Sequence, residues 1–145
     1  MAKLSYFVRN AAAMAAGVAI TVGPSGNEFV IVTRGLTATF RDRLSALQRD
    51  AAIELNRKVQ VGAPGYSPDS LPPSVADRCQ AQALIDECLT GIEGLENDDG
   101  SAVTFDDFKA LLLDGSSRGL LALASWAAGR VGDEQAENQK AIEGN

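Results

Sequence analysis

Two short runs of β-branched and aromatic residues stand near the start of the chain, on either side of a turn-forming segment. The runs are GVAITV and EFVIVT, and the segment GPSGN between them contains Pro24, Gly26 and Asn27. β-Branched residues favour strands, whereas Pro, Gly and Asn favour tight turns. The pattern predicts a β-hairpin over residues 17–33, and the preceding run KLSYFVRN is a candidate for one further strand.

Beyond residue 36 the apolar residues recur at helical spacing. Thr37 is expected to cap a first helix that runs to about Lys58, and the Gly-, Pro- and Ser-rich residues 61–74 form a loop. A second helix is expected from Pro73 or Ser74 to about Thr90. The apolar positions of the first helix are Phe40, Leu44, Leu47, Ala51 and Leu55.

Two more helices are predicted, over TFDDFKALLLDG and SSRGLLALASWAAGRVG. Apolar residues nearly encircle the second of them, and such a helix is buried in a core or against a partner. Trp126 in this helix is either a core anchor or the centre of a partner-binding surface. The residues expected to bind a partner are Leu120, Leu121, Leu123, Trp126 and Val131.

The predicted fold is therefore α+β and mostly α, with an N-terminal β-hairpin or small sheet followed by about four helices. Residues 1–132 form a single compact domain, with a β-rich part over residues 1–35 and a helical part over residues 37–131. Residues 133–145 are a polar C-terminal tail, either a helical extension or a frayed end.

Composition narrows the classes of function. The 145 residues carry a net charge of −6, with 19 acidic and 13 basic side chains, so there is no surplus of cations for a nucleic-acid backbone. No stretch approaches the ~20 apolar residues of a membrane span. The alanine-rich N-terminus resembles an export signal only faintly, and we expect the chain to stay in the cytoplasm.

The chain has no histidine, which removes the commonest general base and the commonest zinc ligand. Its two cysteines, Cys79 and Cys88, would point to opposite sides of one helix, so we expect two buried thiols and no disulfide. We predict no catalytic residues, no cofactor and no metal, and hence a protein that is not an enzyme.

The stretch LENDDGSAVTFDDF, residues 95–108, looks at first like a calcium-binding loop. With Gly100 at the invariant glycine position, Asn97 and Asp99 fall on ligand positions, but Leu95 and Asp106 fall where an oxygen ligand and a longer glutamate are needed. A register shifted by one residue fails as well. We predict instead a turn at Gly100 that leads into a helix.

The residues after this turn suit the start of a helix. Thr104 is the expected N-cap, Asp106 and Asp107 favour the first turn, and Phe105 and Phe108 lie on one face that anchors the helix. A second motif, GSSRG, fits the G-x-S-x-G nucleophile pattern at Ser117, but that pattern needs a preceding strand and a histidine. A serine cap on the next helix, from Ser116 or Ser117, explains it better.

The order of segments, and above all the phrase from residue 92 to residue 108, resembles the tail assembly chaperones of long-tailed bacteriophages. Such proteins carry an acidic turn with glycine, a Thr or Pro, an aromatic residue and an acidic pair before a final helical stretch. The matching residues here are Ile92, Gly94, Leu95, Asp98, Asp99, Gly100, Val103, Thr104, Phe105, Asp106, Asp107 and Phe108.

The resemblance implies a non-enzymatic chaperone or adaptor that binds the phage tape-measure and tail-tube proteins in the host bacterial cytoplasm. Its partners would be those proteins, with a homo-oligomer left open, and neither nucleic acid nor membrane. The alternative is a small structural component of the phage particle, a tail or connector protein, located in the virion.

Overall fold

The computed structural model of the chain describes residues 16–143, with side-chain surroundings for residues 16–131. Three strands form one antiparallel sheet in the order β1-β2-β3, and helices pack against one of its faces. The predicted α+β class, mostly α, is confirmed, while the candidate strand KLSYFVRN lies outside the described residues. The elements are β1 (Val18–Val22), β2 (Phe29–Thr33), α1 (Ala38–Asn56), α2 (Pro73–Glu87), β3 (Leu89–Glu93), α3 (Phe105–Asp114) and α4 (Arg118–Glu143).

The predicted hairpin is present as β1 and β2. Val18 pairs with Thr33 and Val22 with Phe29, and the turn is closed by the Asn27 amide, which donates to the Pro24 carbonyl at 2.9 Å. Alternate residues of both strands are buried, as expected for a sheet with one face on the core. The buried side chains are Ile20, Val22, Phe29, Ile31 and Thr33.

The third strand corrects the prediction that α2 continues to Thr90. The helix ends at Glu87, and Leu89–Glu93 pair with β2, placing Ile92 opposite Ile31. Thr90 and Gly91 are weak helix formers, and Gly94 (φ 79°) ends the strand in a conformation that favours glycine. The helical part predicted over residues 37–131 therefore contains one strand.

A buried polar junction ties the end of α2 to the end of β2. The Cys88 carbonyl accepts from the Arg34 amide at 2.8 Å and from the Thr33 hydroxyl at 3.3 Å. The same hydroxyl accepts from the Gly35 amide at 3.2 Å, so the buried Thr33 is satisfied in both roles. This junction fixes where β3 begins.

The long helix α1 begins as predicted, because the Thr37 hydroxyl accepts from the Phe40 amide at 3.1 Å. It ends at Asn56, two residues earlier than expected. It packs along α2, and at their edge Arg43 Nε lies 2.9 Å from the Asp86 carboxylate. Phe40 is buried, and Leu44 and Leu47 pack partly buried against the core.

The core lies between the inner face of the sheet and α2, α3 and α4. Phe108 of α3 is fully buried and meets Phe29 of β2 edge-on, with ring centroids 6.2 Å apart. Helix α4 crosses β1 and β2, and its buried face is built mainly of short side chains. That face consists of Leu121, Ala124, Ala127, Ala128 and Val131.

Candidate protein-binding site

The acidic turn between β3 and α3 is closed by its own polar groups. The Gly100 amide donates to the Asn97 carbonyl at 2.9 Å, and Gly100 has a φ of 88°. The Asp99 carboxylate accepts from the Ser101 hydroxyl at 2.6 Å and from the Ser101 amide at 2.9 Å. The predicted turn is confirmed, and the Asp99 carboxylate is turned onto the loop itself.

The electrostatics of the turn follow from these bonds. The Ser101 hydroxyl and then the Ser101 amide lower the pKa of the Asp99 carboxyl, since both stabilise its charged form. Among the side chains that the structure describes, no three acidic, cysteine or histidine residues are grouped so that they could hold a metal ion. The polar groups of this turn therefore stabilise the turn itself.

The turn leads directly into a capped and anchored helix. The Thr104 hydroxyl accepts from the Asp107 amide at 3.1 Å, which confirms the predicted N-cap of α3. Phe108 is buried in the core, whereas Phe105 is only partly buried and lies beneath the Lys109 ammonium, 4.6 Å from its ring centroid. The two aromatic anchors predicted from spacing are therefore unequal.

The GSSRG stretch joins two helices. Gly115 (φ 80°) ends α3 in the left-handed region, and the next helix begins at Arg118. The Ser116 hydroxyl donates to the Asp114 carboxylate at 2.9 Å, and the Ser117 carbonyl accepts from the Leu120 amide at 3.0 Å. The strand that a nucleophile elbow requires is replaced by a helix.

Both cysteines are free and buried, as predicted. Burial raises the pKa of the Cys88 thiol to about 12, and it also raises the pKa of Cys79. A thiol with a raised pKa is a poor nucleophile at neutral pH because so little thiolate is present. Cys79 lies within α2, and Cys88 directly follows its last residue.

The five residues predicted to bind a partner divide into three environments. Leu121 and Val131 are buried in the core and offer no surface, which corrects their assignment. Leu120 and Leu123 pack partly buried against that core. Trp126 is 52% exposed, so of the two interpretations of this residue the core anchor is wrong.

Trp126 stands among small residues on the solvent side of α4. At ~100° per residue, Gly119, Ala122 and Gly129 all fall within roughly 60° of Trp126 around the helix axis. All three are exposed, and a Cβ added at either glycine would meet nothing within 4 Å. We call these four residues, Gly119, Ala122, Trp126 and Gly129, the outer face of α4.

One cation borders this outer face. The Arg130 guanidinium lies 5.6 Å from the centroid of the Trp126 ring, a geometry that holds the indole through a cation–π contact. The indole is therefore positioned on the surface by its own helix. A positioned, half-exposed tryptophan is the side chain most typical of a protein-binding hot spot.

A second exposed apolar region follows α1, in the loop predicted over residues 61–74. Val61 is fully exposed at the tip of a turn in which the Ala63 amide donates to the Gln60 carbonyl at 3.0 Å. The Asn56 side chain closes the loop through two hydrogen bonds to the Tyr66 backbone, at 2.6 and 2.9 Å. Paired Asn–backbone contacts of this kind cannot be recognised from spacing alone.

A cavity of about 410 Å³ opens where the start of α2, the end of α3 and the start of α4 meet. Leu112, Leu113 and Leu121 contribute its apolar lining. Its charged lining is balanced and consists of Asp77, Arg78, Asp114 and Arg118. Arg118 Nε lies 3.1 Å from the Asp77 carboxylate. The cavity thus lies at the beginning of the helix that carries Trp126.

Comparison of the chain with protein-family models, with curated proteins and with solved structures finds no match. Among the helices of residues 16–143, none is both long and apolar enough to cross a membrane.

Proposed function

We propose that the chain is a non-enzymatic assembly chaperone or adaptor of a long-tailed bacteriophage. It binds tape-measure and tail-tube proteins in the host cytoplasm, and it covers an apolar segment of the client with the outer face of α4. No cofactor, nucleic acid or membrane takes part in this function.

The observation that carries the binding mode is the half-exposed Trp126 on a helix whose opposite side is buried in the core. An indole offers a large contact area at a low cost in side-chain entropy, and its rigid helix fixes its direction. Small residues before and after it let a client segment approach the helix closely. An apolar client segment is the partner that fits this surface.

The phage setting rests on the resemblance of residues 92–108. In this chain the phrase contributes the end of β3, the turn at Gly100 and the Thr104 cap, and it ends at the buried Phe108. The phrase is thus structural in this fold, and the client contacts are assigned to α4 instead.

The test is co-expression of the chain with the tape-measure protein encoded by the same phage, followed by measurement of the client that stays soluble after centrifugation. We expect Trp126→Asp to return the client to the pellet. Ile53→Asp is the matched control, because Ile53 is 55% exposed on a different helix. Equal amounts of soluble client with wild type and with Trp126→Asp would contradict the proposed surface.

Mass spectrometry of purified particles separates a chaperone from a structural component. A chaperone that leaves before the particle is complete should be absent from virions. Presence of the chain at a fixed copy number would overturn the chaperone proposal in favour of a tail or connector protein.

A further inference from the structure

We infer that Asp114 and Gly115 form a site of spontaneous covalent modification, at which the aspartate closes to a succinimide and reopens as isoaspartate. The second Asp-Gly pair of the sequence, Asp99 and Gly100, is protected by the turn in which it lies. The inference does not rest on the proposed function, because the isolated protein is sufficient to test it.

The reaction joins a side chain to the main chain. The Gly115 amide nitrogen attacks Cγ of the protonated Asp114 carboxyl, a C–N bond forms, and the hydroxyl of that carboxyl leaves as water with the amide proton. Water then adds to one of the two ring carbonyls of the succinimide and breaks the bond of that carbonyl to nitrogen. Opening at the main-chain carbonyl gives isoaspartate, an isomer of unchanged mass in which the chain continues through Cβ and Cγ.

The same three residues, Asp-Gly-Ser, occur at both Asp-Gly pairs, over residues 99–101 and 114–116. Glycine favours the cyclisation, because it has no side chain to obstruct the ring and its backbone is the least restricted. The two sites therefore share the residues that react. What distinguishes them is the hydrogen bonding that the fold gives to each.

The attacking nitrogen is bound at one site and free at the other. The Gly100 amide donates to the Asn97 carbonyl at 2.9 Å. The Gly115 amide has no acceptor among the described residues, whereas the amides of Arg57 and Cys88, which follow α1 and α2 in the same way, donate back into their helices. Attack by Gly100 thus breaks a hydrogen bond that attack by Gly115 does not.

The two carboxyl groups are also held differently. Asp99 accepts from the hydroxyl and from the amide of Ser101, at 2.6 and 2.9 Å. Within the described part of the chain, Asp114 accepts from the Ser116 hydroxyl alone, at 2.9 Å. To bring Cγ onto the following nitrogen, Asp99 has to give up two hydrogen bonds and Asp114 only one.

The loss of charge on cyclisation favours Asp114 as well. Asp114 is the last residue of α3, where the helix carries partial negative charge, and a neutral succinimide removes a carboxylate from that end. At the other site Ser101 stabilises the charged form of Asp99, and the pKa of that carboxyl is lowered. Less of the protonated acid, which is the form that cyclises, is therefore present at Asp99.

The site at Asp114 is open to water. Both Asp114 and Gly115 are exposed, and apart from the chain neighbours no atom lies within 4 Å of the place that a Cβ would take on Gly115. A planar ring can form there, and water can reach both of its carbonyls.

Isomerisation changes the connection between α3 and α4. Isoaspartate adds one carbon atom to the main chain at the residue where α3 ends, and α4 begins shortly afterwards at Arg118. Its free α-carboxylate lies at the edge of the cavity that Asp114 and Gly115 line. The modified chain is thus a second covalent form, in which the helix that carries Trp126 is joined differently to the rest of the protein.

The test is to age the purified full chain at neutral pH in water enriched in heavy oxygen, and then to digest it with trypsin in ordinary water. Each opening of a succinimide inserts one heavy oxygen atom. Cleavage after Arg78, Lys109 and Arg118 separates the two sites into the peptides 79–109 and 110–118. We expect label in peptide 110–118 to accumulate several times faster than in peptide 79–109. An equal or faster rate in peptide 79–109, or no label in peptide 110–118, would overturn the inference.

The product is identified by its free α-carboxylate. A carboxyl methyltransferase specific for isoaspartate should methylate peptide 110–118 from the aged protein and not the same peptide from fresh protein. Absence of methylation in the aged peptide would exclude isoaspartate as the product.

The unfolded chain supplies the matched control. In guanidinium chloride both sites lose the hydrogen bonds that distinguish them, and we expect the two peptides to take up label at similar rates. If peptide 110–118 kept the same advantage in the unfolded chain, the difference would come from sequence and the structural account would be wrong.

Two variants then separate the sites. Asp114→Glu should abolish the label in peptide 110–118, because a longer side chain has to close a less favourable six-membered ring. Ser101→Ala should speed labelling of peptide 79–109, since it removes one of the two bonds that hold Asp99, and should leave peptide 110–118 unchanged. Circular dichroism checks that both variants are folded. Labelling of peptide 79–109 that is no faster in a folded Ser101→Ala protein would contradict the protection assigned to the turn.

Discussion

The acidic turn at residues 95–104 and the outer face of α4 are both exposed, yet they stand in opposite relations to the rest of the molecule. The turn is crowded with polar groups, and Asn97, Asp99 and Ser101 bind one another within it. The outer face carries one large apolar side chain, the Trp126 indole, and about half of its surface is exposed to solvent. Unusual composition alone does not distinguish the two cases.

The difference shows where to look for function on such a surface. A polar cluster whose side chains bond one another, as Asn97, Asp99 and Ser101 do, needs no partner to satisfy them. An indole half in water can bury more surface only by binding something else. Changes in the turn should therefore affect folding, while changes in the outer face should affect association.

Phe108→Ala has the largest expected effect on stability, and it tests whether the helix after the acidic turn is anchored in the core. Removing a fully buried ring that meets Phe29 leaves a cavity, and we expect a loss of about 3–5 kcal/mol in the free energy of unfolding. Urea denaturation measures it. Phe105→Ala is the control and should cost clearly less, because Phe105 is partly exposed; equal costs would contradict the assigned anchor.

Thr104→Ala removes the cap that the turn presents to α3. We expect a loss of about 1 kcal/mol, since the Asp107 amide loses its acceptor. Thr104→Ser should keep most of the stability, because a hydroxyl remains in place. Trp126→Ala measured beside them should cost clearly less than Phe108→Ala, because half of the indole is already exposed. A loss at Trp126 as large as that at Phe108 would contradict the comparison.

Two glycines should respond to alanine with opposite signs. Gly100→Ala forces a side chain into φ 88° and should destabilise the fold by about 1 kcal/mol. Gly129→Ala lies in a helix with open space above it and should stabilise the fold by about 0.4–1 kcal/mol. A change of the same sign in the free energy of unfolding of both variants would contradict this prediction.

The smallest effect concerns the titration of Asp99. Its pKa is lowered in the folded state, so its stabilising contribution is present above the unfolded pKa and is lost as the pH falls through the folded value. Nuclear magnetic resonance should place this pKa below the usual aspartate value of about 3.9. Ser101→Ala should raise it, and Ser116→Ala should not; an unchanged value in Ser101→Ala would contradict the assigned cause.

The parts of the fold that depend on neighbouring residues in sequence were predictable. The hairpin, the Thr37 and Thr104 caps and the turn at Gly100 each follow from a short pattern and are confirmed. In these places the stabilising bonds join residues only a few positions apart, so local chemistry decides the structure.

The strand β3 and the exposure of Trp126 depend on distant contacts. Ile85, Cys88, Leu89 and Ile92 have helical spacing, but pairing with β2 overrides it after Glu87. Helix α4 packs on the core through Ala124, Ala127 and Ala128, a side with short residues and no space for an indole. Which side of an apolar helix is buried depends on the shape of its neighbours, and the helix sequence does not contain that shape.

The strand order also has a consequence for the time course of folding. β2 can pair with β1 through a short turn, whereas its other edge waits for Leu89–Glu93, which follow two helices and a loop. Hairpins close in microseconds, while pairings that enclose long loops are slower. During synthesis β2 is therefore an open edge until α1 and α2 have formed and brought β3 alongside. We expect the rate at which these two helices pair to determine how long the open edge of β2 in one nascent chain can pair with that of another.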